Sequence, residues 1–426
     1  MMVNVLVFPC GSEIGLEIHA ALRHAKDICL HGASSVSDHG EFVYARYRQI
    51  PALAGSAELV SQLNMLIDAW NIDLVVPAHD SVIPVLADNR QRLRAPAMVP
   101  DAATAAICRN KNRTYEKLQG LGIVPRRAEP DATGYPIFAK PAVGQGSQGA
   151  ERVDDIARHR QLAASGIEYV FSEYLPGTEY TVDCISSSSG DLLHAAARVR
   201  GRVKSGISVR TEPAASDPAL QAMAEAIASE LRLKGAWFFQ ARRDREGMPK
   251  LLEVAPRIAG SMALNRMRGI NYPLLSVYAH LGMSFTVMPQ HYPLVMDRAL
   301  GNRWRADIAY ERVYLDLDDT LLVRGAPEPL VVALLYQWNA RGIPVVLITR
   351  HAAEPEQTLA RHRICTALFE RIVHVRDGSP KSTAIPPGEA AIFIDDAFSE
   401  RAEVAAARGI PVFDVDALEQ LRETRA

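Results

Sequence analysis

Three acids stand within four positions at the end of one apolar segment of the sequence. Asp316, Asp318 and Asp319 follow the apolar residues 313–315. Gathering so many carboxylates costs free energy unless a cation or a catalytic reaction uses them. The first acid can attack a phosphoryl group as a nucleophile, and an acid two positions later can exchange a proton. The spacing therefore indicates phosphoryl transfer to an aspartate.

Two later apolar segments end in the other groups that this reaction needs. One segment ends in the hydroxyl of Thr349, and the other ends in Asp395 and Asp396. Lys381 lies in a loop between these segments and can supply a positive charge. A nucleophile, a second acid, a cation and an acid pair for Mg²⁺ meet the four conditions for Mg²⁺-dependent phosphoryl transfer.

A second group of candidate residues lies within residues 251–261. An apolar run delivers Glu253, and Arg257 follows after a proline. Carboxylate oxygens suit Mg²⁺ and an arginine suits phosphate oxygens, so the pair could hold a metal–phosphate complex. A buried strand with an ordinary surface pair between these two side chains explains the segment equally well. Residues elsewhere in the chain have to decide between the two interpretations.

Lys140 ends an apolar strand and is followed by three glycines, Gly144, Gly146 and Gly149. Glycines allow the backbone to approach phosphates closely and to point N–H groups at them, while the lysine supplies the counter-charge. The Gly-Lys-Ser/Thr sequence of a Walker A motif is absent. A phosphate-binding loop is the favoured interpretation, and a flexible hairpin is the alternative.

An extended hinge separates two predicted strands near the middle of the chain. The first strand ends at Glu173-Tyr-Leu175, and the second begins at Glu179 after a Pro-Gly turn. Backbone groups of such a hinge can bind an adenine edge, and Glu179 can reach a ribose; a solvated hairpin face is the alternative. Gln240 lies on the strand that precedes Glu253, and the short turn between those strands allows the two side chains to meet.

The order and spacing of these residues resemble the ATP-grasp superfamily over about residues 1–300, most closely its carbamoyl-phosphate-synthase large-subunit and biotin-carboxylase group. The resemblance implies ATP binding by six residues: Lys111, Lys140, Gly146, Glu173, Leu175 and Glu179. It implies Mg²⁺ binding by Gln240 and Glu253, and a catalytic role for Arg257, which would steady the phosphate or acyl phosphate. The family's Val-Asn-Pro-Arg sequence is altered at Ala255, whose side chain offers no oxygen. The second metal ion would therefore lack one side-chain ligand.

Residues 310–426 resemble the haloacid-dehalogenase (HAD) phosphohydrolase superfamily, and all four of its motifs are present. The resemblance implies that Asp316 is the nucleophile, that Asp318 is the general acid and base, and that Thr349 and Lys381 bind the phosphoryl group. It implies Mg²⁺ binding by Asp316, Asp318 and Asp395, with Asp396 beside them. Residues 322–343 alone separate the first two motifs and are predicted to form mostly one helix. We therefore expect no large cap domain.

The elements that must position these residues follow from the apolar patterns. Strands alternate with helices in residues 1–95, which predicts an open α/β sheet. One helix over residues 109–121 is predicted to carry Lys111 near its start. We expect an α/β and α+β multidomain protein with three parts. These are a pre-ATP-grasp α/β domain at residues 1–95, an ATP-grasp domain at residues 96–305 and a capless, Rossmann-like HAD domain at residues 309–426.

Two further sets of residues permit both a functional and a structural interpretation. His79 and Asp80 follow a strand of the predicted α/β sheet, at the edge where such sheets usually bind ligands. A loop with Asp80 as a helix cap is the favoured interpretation. The alternating basic residues between Arg198 and Arg210 mark either the solvated face of a strand or a phosphate-rich cleft.

Composition excludes several classes of protein. With 48% hydrophobic residues, 23% charged residues and a net charge of −2, the sequence suits a soluble globular protein and lacks a nucleic-acid or membrane surface. Its five scattered cysteines include no Cys-x-x-Cys pair, which favours free thiols in a reducing cytoplasm. The first residues indicate a β-strand instead of a signal peptide, and no segment is apolar for long enough to span a bilayer.

We therefore expect a cytoplasmic, bifunctional enzyme with ATP and Mg²⁺ as cofactors and Mn²⁺ as the alternative metal. One part would join a small-molecule carboxylate to an amine, and the other would hydrolyse a phosphorylated metabolite. The sequence leaves open the substrates and the oligomeric state, a homodimer included. One alternative is a phosphatase whose ATP-grasp part is degenerate and binds a nucleotide for regulation. Another is a HAD scaffold without catalysis.

Overall fold

The computed structural model describes residues 2–52, 56, 58–129, 134–144, 146, 148–204 and 206–423. The chain forms two compact units, Met1–Gly301 and Asn302–Thr424. The division of the first unit into domains at residues 1–95 and 96–305 stays a prediction. Among the described residues, every helix is too short or too polar to traverse a lipid bilayer.

The first unit begins with a four-stranded parallel sheet, in the order β3-β2-β1-β4. Its elements are β1 Val3–Phe8, α1 Glu13–Leu22, β2 Ile28–Ser34, α2 Gly40–Val43, β3 Arg46–Gln49, α3 Leu59–Trp70, β4 Leu74–Pro77 and α4 Val82–Asp88. Val5 and Val7 of β1 pack in one apolar cluster, and Leu6 and Phe8 pack in another. Both faces of this sheet are covered, which explains why β1 is apolar at consecutive positions.

The middle of the first unit contains two short helices and a three-stranded antiparallel sheet, in the order β6-β5-β7. Its elements are α5 Ala102–Arg109, α6 Lys111–Leu118, β5 Ile137–Pro141, β6 Glu151–Val153, α7 Ile156–Ala163 and β7 Tyr169–Glu173. The helix predicted over residues 109–121 begins two residues later than expected, at Lys111, and its last turn, Gln119–Leu121, is a 3-10 helix. Asn110 ends α5 and caps α6, because its side chain accepts hydrogen bonds from two backbone N–H groups of the next turn. Lys111 is therefore the first residue of α6.

A six-stranded sheet, in the order β12-β11-β8-β9-β10-β13, completes the first unit. Its elements are β8 Glu179–Ser186, β9 Leu192–Lys204, β10 Ile207–Pro213, α8 Pro218–Leu231, β11 Gly235–Arg243, β12 Pro249–Ala255, α9 Ala263–Met267, α10 Tyr272–His280 and β13 Met296–Asp297. Along β11, Trp237 and Phe239 pack in the apolar cluster that contains the buried face of α8. Phe238 and Gln240 point to the opposite face, because side chains alternate along a strand.

The second unit contains a five-stranded parallel sheet, in the order β18-β17-β14-β19-β20. Its elements are β14 Arg312–Leu315, β15 Leu322–Val323, β16 Ala326–Pro327, α11 Pro329–Ala340, β17 Val345–Thr349, α12 Pro355–Arg361, β18 Arg371–His374, β19 Ala391–Ile394, α13 Phe398–Arg408 and β20 Val412–Phe413. The β15–β16 hairpin and α11 occupy the stretch between β14 and β17, as the expectation of no large cap requires. The carboxyl ends of β14, β17 and β19 lie at one edge of the sheet, because these strands are parallel neighbours.

Candidate active sites

Two adjoining cavities lie in the first unit, with volumes of about 350 Å³ and 210 Å³. The described residues that line both are Lys111, Gly144, Gly146, Gln148, Arg200, Gly206, Gln240 and Glu253. The cavities are therefore two parts of one cleft. A Cβ at Gly206, whose φ is +75°, would fall on the backbone of Gly146, so glycine is required where these two loops approach each other.

The smaller cavity collects the residues that the sequence predicted to bind ATP. All six of them line it: Lys111, Lys140, Gly146, Glu173, Leu175 and Glu179. They come from α6, from β5 and the loop after it, and from the β7–β8 hinge. The backbone N–H of Lys111 donates to the carbonyl oxygen of Ala142, which fixes the start of α6 beside the glycine-containing loop.

Lys140 is buried at the base of the smaller cavity. Its Nζ donates to the carbonyl oxygen of Leu252 at 2.8 Å and lies 2.9 Å from the hydroxyl of Tyr115. Burial lowers the pKa of Lys140 to about 7, although the negative charge of Glu253 acts in the opposite direction. Near neutral pH this lysine can therefore exist in either charge state before a ligand binds.

ATP affinity should fall as the pH rises above 7, because nucleotide phosphates attract the charged form of Lys140. Above the pKa that Lys140 has in the free protein, Lys140 must take up a proton when ATP binds. The affinity should therefore fall by up to about tenfold per pH unit. Isothermal titration calorimetry with Mg-ATP between pH 7.5 and 9 measures this dependence. Lys140→Arg is the control, since arginine stays charged, and its affinity should change little with pH. A profile equally steep in both proteins would contradict the prediction.

The two glutamates of the hinge are engaged by arginines. Both carboxylate oxygens of Glu173 accept hydrogen bonds from Arg126, one from its backbone N–H and one from its Nε, each at 2.9 Å. Glu179 lies 2.8 Å from Nε of Arg200. The Glu173 carboxylate is therefore already occupied by Arg126, and the binding of an adenine edge by the hinge stays a prediction.

Gln240 and Glu253 lie directly opposite each other on the β11–β12 hairpin, as the sequence predicted. Nζ of Lys111 is 3.6 Å from the Glu253 carboxylate. Amide and carboxylate oxygens are ligands that Mg²⁺ accepts, so the pair suits a metal ion at the boundary of the two cavities. Ala255 lies on the same face, two residues beyond Glu253. Its methyl side chain is buried in an apolar cluster and carries no oxygen that could bind a metal ion.

Arg257 does not pair with Glu253 at the surface. Its Nε and Nη2 donate to the two carboxylate oxygens of Asp80, each at 2.6 Å, and its guanidinium lies 5.1 Å from the ring centre of Phe238. Burial acts to raise the pKa of Asp80, but Arg257 outweighs it and holds the pKa below its usual value. Both residues line the larger cavity, as expected if Arg257 binds phosphate or acyl phosphate there. The positive charge of Arg257 is, however, already balanced by Asp80.

The favoured interpretation of Asp80 as a helix cap was therefore wrong. Ser81 occupies the N-cap position of α4 and makes no side-chain capping hydrogen bond. Asp80 and Arg257 are 177 positions apart, so no local pattern in the sequence could have paired them.

Asp80→Asn should destabilise the first unit, because it leaves the guanidinium of Arg257 without its counter-charge. We expect the free energy of unfolding to fall by about 1–3 kcal/mol. Urea denaturation followed by tryptophan fluorescence measures the change. Asp68→Asn is the matched control: it removes the partner of Arg94 in a pair whose side chains are 62% and 50% exposed. The control should change stability by less than about 1 kcal/mol, and equal effects of the two variants would contradict the prediction.

In the second unit, a lysine lies between two buried acids. Leu315 and Ile394 are partners on β14 and β19, so the residues that follow them, Asp316 and Asp395, are neighbours. Nζ of Lys381 donates to Asp316 at 2.7 Å and to Asp395 at 2.6 Å. Burial raises the pKa of Asp316 and Asp395 adds to this rise, while Lys381 opposes it.

The group of neighbouring carboxylates in this unit differs from the set of metal ligands that the sequence predicted. Oxygens of Asp316, Asp395 and Asp396 lie within 4.8 Å of one another and form a group that could hold a metal ion. The Asp318 side chain, predicted as a third metal ligand, lies outside this group. It is exposed and its oxygens lie 2.9 Å from Nδ1 of His351. Asp396, which was predicted to lie beside the metal ligands, completes this group, and the metal-binding roles of Asp316, Asp318 and Asp395 stay predictions.

Thr349 is fully buried at the end of β17, and its Oγ1 accepts a hydrogen bond from the backbone N–H of His351. Sequence reasoning missed His351. The residue stands two positions after Thr349 and shares the carboxyl edge of the sheet with Asp318, but a lone histidine after a strand carries no distinctive spacing.

One family model matches part of the first unit. A family model described as "ATP-grasp in the biosynthetic pathway with Ter operon" matches residues 167–298. This range includes the hinge glutamates, the β11–β12 hairpin and Arg257. No curated protein sequence matches the chain.

Solved structures resemble the chain in fold at low sequence identity. The L-amino acid ligase of Bacillus licheniformis is 20% identical, with 65% of this chain and 74% of that chain covered and a TM-score of 0.53. The biotin carboxylase domain of Hydrogenobacter thermophilus 2-oxoglutarate carboxylase, in complex with MgADP, ADP and bicarbonate, is 13% identical, with 68% and 72% covered and a TM-score of 0.55. The ADP complex of Staphylococcus aureus N5-carboxyaminoimidazole synthetase is 15% identical, with 70% and 82% covered and a TM-score of 0.56.

Each of these matches covers 65–70% of the chain, which is far more than Asn302–Thr424 contains. Each match therefore includes a large part of the first unit. The family model covers the six-stranded sheet of the same unit from β8 to β13. Together the family model and the shared architecture support an ATP-grasp-like fold in the first unit of this mixed α/β protein.

Proposed function

We propose that the first unit is an ATP-dependent ligase that activates a carboxylate as an acyl phosphate and joins it to an amine. The observation that carries this proposal is the shared wall of the two cavities. Lys111, Gln240 and Glu253 line both. A nucleotide in the smaller cavity would direct its terminal phosphate at this wall, and a carboxylate in the larger cavity would meet it there.

The residues of the smaller cavity fit Mg-ATP. Lys111 and Lys140 supply positive charge, and the loop through Gly146 supplies a backbone that can approach phosphates. Gln240 and Glu253 would hold Mg²⁺, which supplies further neutralisation of phosphate charge when it is bound. Two of the similar structures contain ADP, which supports the assignment of the nucleotide.

In this reaction the protein has to position the reactants and neutralise the negative charge of the phosphates. A carboxylate oxygen attacks the γ-phosphorus, the bond between the γ-phosphorus and the bridging oxygen breaks, and ADP leaves. An amine then attacks the acyl carbon, forms the C–N bond, loses a proton and displaces inorganic phosphate. Lys111 and Lys140 would reduce the repulsion between the carboxylate and the phosphates, and the wall that the two cavities share would hold the reactants in line.

The test is ADP release from Mg-ATP with a panel of carboxylate and amine pairs. The L-amino acid ligase among the similar structures makes amino acids a sensible first panel. A pair that gives ADP, phosphate and an amide in equal amounts supports the ligase. If Mg-ATP binds but no pair gives turnover, the ligase function fails, and the alternative of a nucleotide-binding regulatory unit is supported.

We propose a second function, phosphate-ester hydrolysis, for Asn302–Thr424. The arrangement of Lys381 between Asp316 and Asp395, with Asp396 completing a possible metal site, favours it. An Asp316 oxygen would attack the phosphorus and the P–O ester bond would break, while Asp318 gives its proton to the leaving oxygen. Water would then hydrolyse the aspartyl phosphate and Asp318 would accept its proton.

This second function uses a phosphorylated metabolite as substrate, and Mg²⁺ as the metal with Mn²⁺ as a substitute. Hydrolysis of p-nitrophenyl phosphate that depends on Mg²⁺ supports it. Absence of hydrolysis across a broad panel of phosphate esters would favour a scaffold without catalysis. A cytoplasmic location and a homodimer stay predictions.

A further inference from the structure

Four polar side chains form a row across the six-stranded sheet, along one wall of the larger cavity. Glu253 lies opposite Gln240, Gln240 lies opposite Thr181, and Thr181 lies opposite Arg198. Residues that are directly opposite on neighbouring strands face the same side of a sheet. All four line the larger cavity. The row therefore continues from the proposed metal ligands into the part of the cavity farther from the nucleotide.

The far end of this row contains two buried polar atoms without partners. Thr181 is fully buried and Arg198 is 1% exposed. Oγ1 of Thr181 and Nη1 of Arg198 have no hydrogen-bond partner in the described part of the chain. Buried donors are normally satisfied, and an unsatisfied one costs stability, so such atoms beside a cavity indicate a ligand group.

Arg198 is held rigidly with this nitrogen left over. Its Nε and Nη2 donate to the two carboxylate oxygens of Asp183, at 2.9 Å and 3.2 Å. Asn265 donates to the same carboxylate at 2.9 Å. The alternating basic residues of β9 are therefore not a uniformly solvated face, because Arg198 points into the protein.

The charge of the cavity favours an anion. Five cations that line it each contact a carboxylate: Lys111, Arg198, Arg200, Arg257 and Arg298. Arg109, which also lines the cavity, donates instead to the carbonyl oxygen of Gly144 at 3.3 Å. Among the described cations that line the cavity, Arg109 is therefore the one whose positive charge is not balanced by a contact with a carboxylate.

We propose that Thr181 and Arg198 bind a second oxyanion of the substrate, a carboxylate or a phosphate, remote from the carboxylate that is activated. This proposal rests on the ligase function, since Gln240 and Glu253 define the end where activation occurs. Neighbouring strands are about 4.8 Å apart, so the two oxyanions of the substrate would lie roughly 5–10 Å from each other. Short dicarboxylates and phosphorylated carboxylic acids have this spacing.

Two variants remove the proposed contacts while keeping the charges that hold the fold. Thr181→Val replaces the hydroxyl with a methyl group of similar size. Arg198→Lys keeps a cation for Asp183 but removes the Nη1 donor. Thr211→Val is the matched control: Thr211 is a buried threonine of β10, and its hydroxyl donates to the carbonyl oxygen of Val199 outside the cavity.

Calorimetric titrations of the MgADP-saturated protein with glutarate, its monoamide and O-phosphoserine test the proposal. We expect glutarate or O-phosphoserine to bind at least about tenfold more tightly than the monoamide, and each cavity variant to lose about tenfold in that affinity. The monoamide's affinity and all affinities of the control should stay unchanged. Tighter binding of O-phosphoserine identifies a phosphate as the second oxyanion, and tighter binding of glutarate identifies a carboxylate.

Equal binding of all three probes, binding that Thr181→Val leaves intact, or no binding at all would overturn the proposal. Arg198→Lys adds to the test, but Thr181→Val decides it even if the lysine variant fails to fold. ADP release separates this result from the ligase function. Oxyanion binding that is lost in Thr181→Val, in a protein that never turns over ATP, would keep the subsite and reject the ligase. Undiminished turnover of dicarboxylates and phosphorylated carboxylic acids in Thr181→Val would keep the ligase and reject the subsite.

Discussion

Asp316→Asn should abolish phosphate-ester hydrolysis by the second unit, with a fall in kcat of more than about 10³-fold. The amide has nearly the same shape as the carboxylate and can remain beside Lys381, which lies 2.7 Å from the acid. It is a far weaker nucleophile, so the aspartyl phosphate cannot form. Steady-state hydrolysis of p-nitrophenyl phosphate at saturating Mg²⁺ measures the effect.

Asp416→Asn is the control for Asp316→Asn, because Asp416 is an exposed acid of the same unit. Its kcat should equal that of the parent protein. ADP release by the first unit should also be unchanged in Asp316→Asn, which assigns the loss to one site. Hydrolysis that persists in Asp316→Asn while the purified protein is otherwise free of phosphatases would show that another group is the nucleophile.

The sequence predicted most elements that position these sites, because their patterns are local. Residues 3–8, which are apolar except for Asn4, form β1, and the acids at positions 316 and 395 directly follow β14 and β19. The meeting of Gln240 with Glu253 was also predictable, since a short turn joins β11 to β12. In each case the decisive contact lies within one strand, one turn or one sheet edge.

The contacts that the sequence did not predict join distant positions. Arg257 contacts Asp80 across 177 positions, and nothing near either residue distinguishes this pair from a cap and a surface ion pair. Arg198 belongs to a strand of alternating basic residues, a pattern typical of a solvated face, yet the neighbouring strand places Asp183 against it. The exact start of α6 was also missed, because Asn110, which lies within the range predicted as helix, serves as its N-cap.

Glu253→Gln should lower the rate of ADP release by the first unit by about 10²–10³-fold. The glutamine keeps an oxygen on the shared wall of the cavities but removes the negative charge that would hold Mg²⁺ between Gln240 and the phosphates. It also leaves Nζ of Lys111, now 3.6 Å from the carboxylate, without that counter-charge. Because Ala255 supplies no ligand on the same face, little on β12 can compensate.

The Mg²⁺ dependence of Glu253→Gln separates a metal ligand from a residue that acts through structure alone. If Glu253 holds the metal, the Mg²⁺ concentration for half-maximal ADP release should rise, and high Mg²⁺ should restore part of the rate. Glu230→Gln, which changes a partly exposed partner of Lys117 in the same unit, should leave both quantities unchanged. If Glu253→Gln is slow but its Mg²⁺ dependence is unaltered, Glu253 does not hold the metal. Its carboxylate would then act by positioning the charged Lys111.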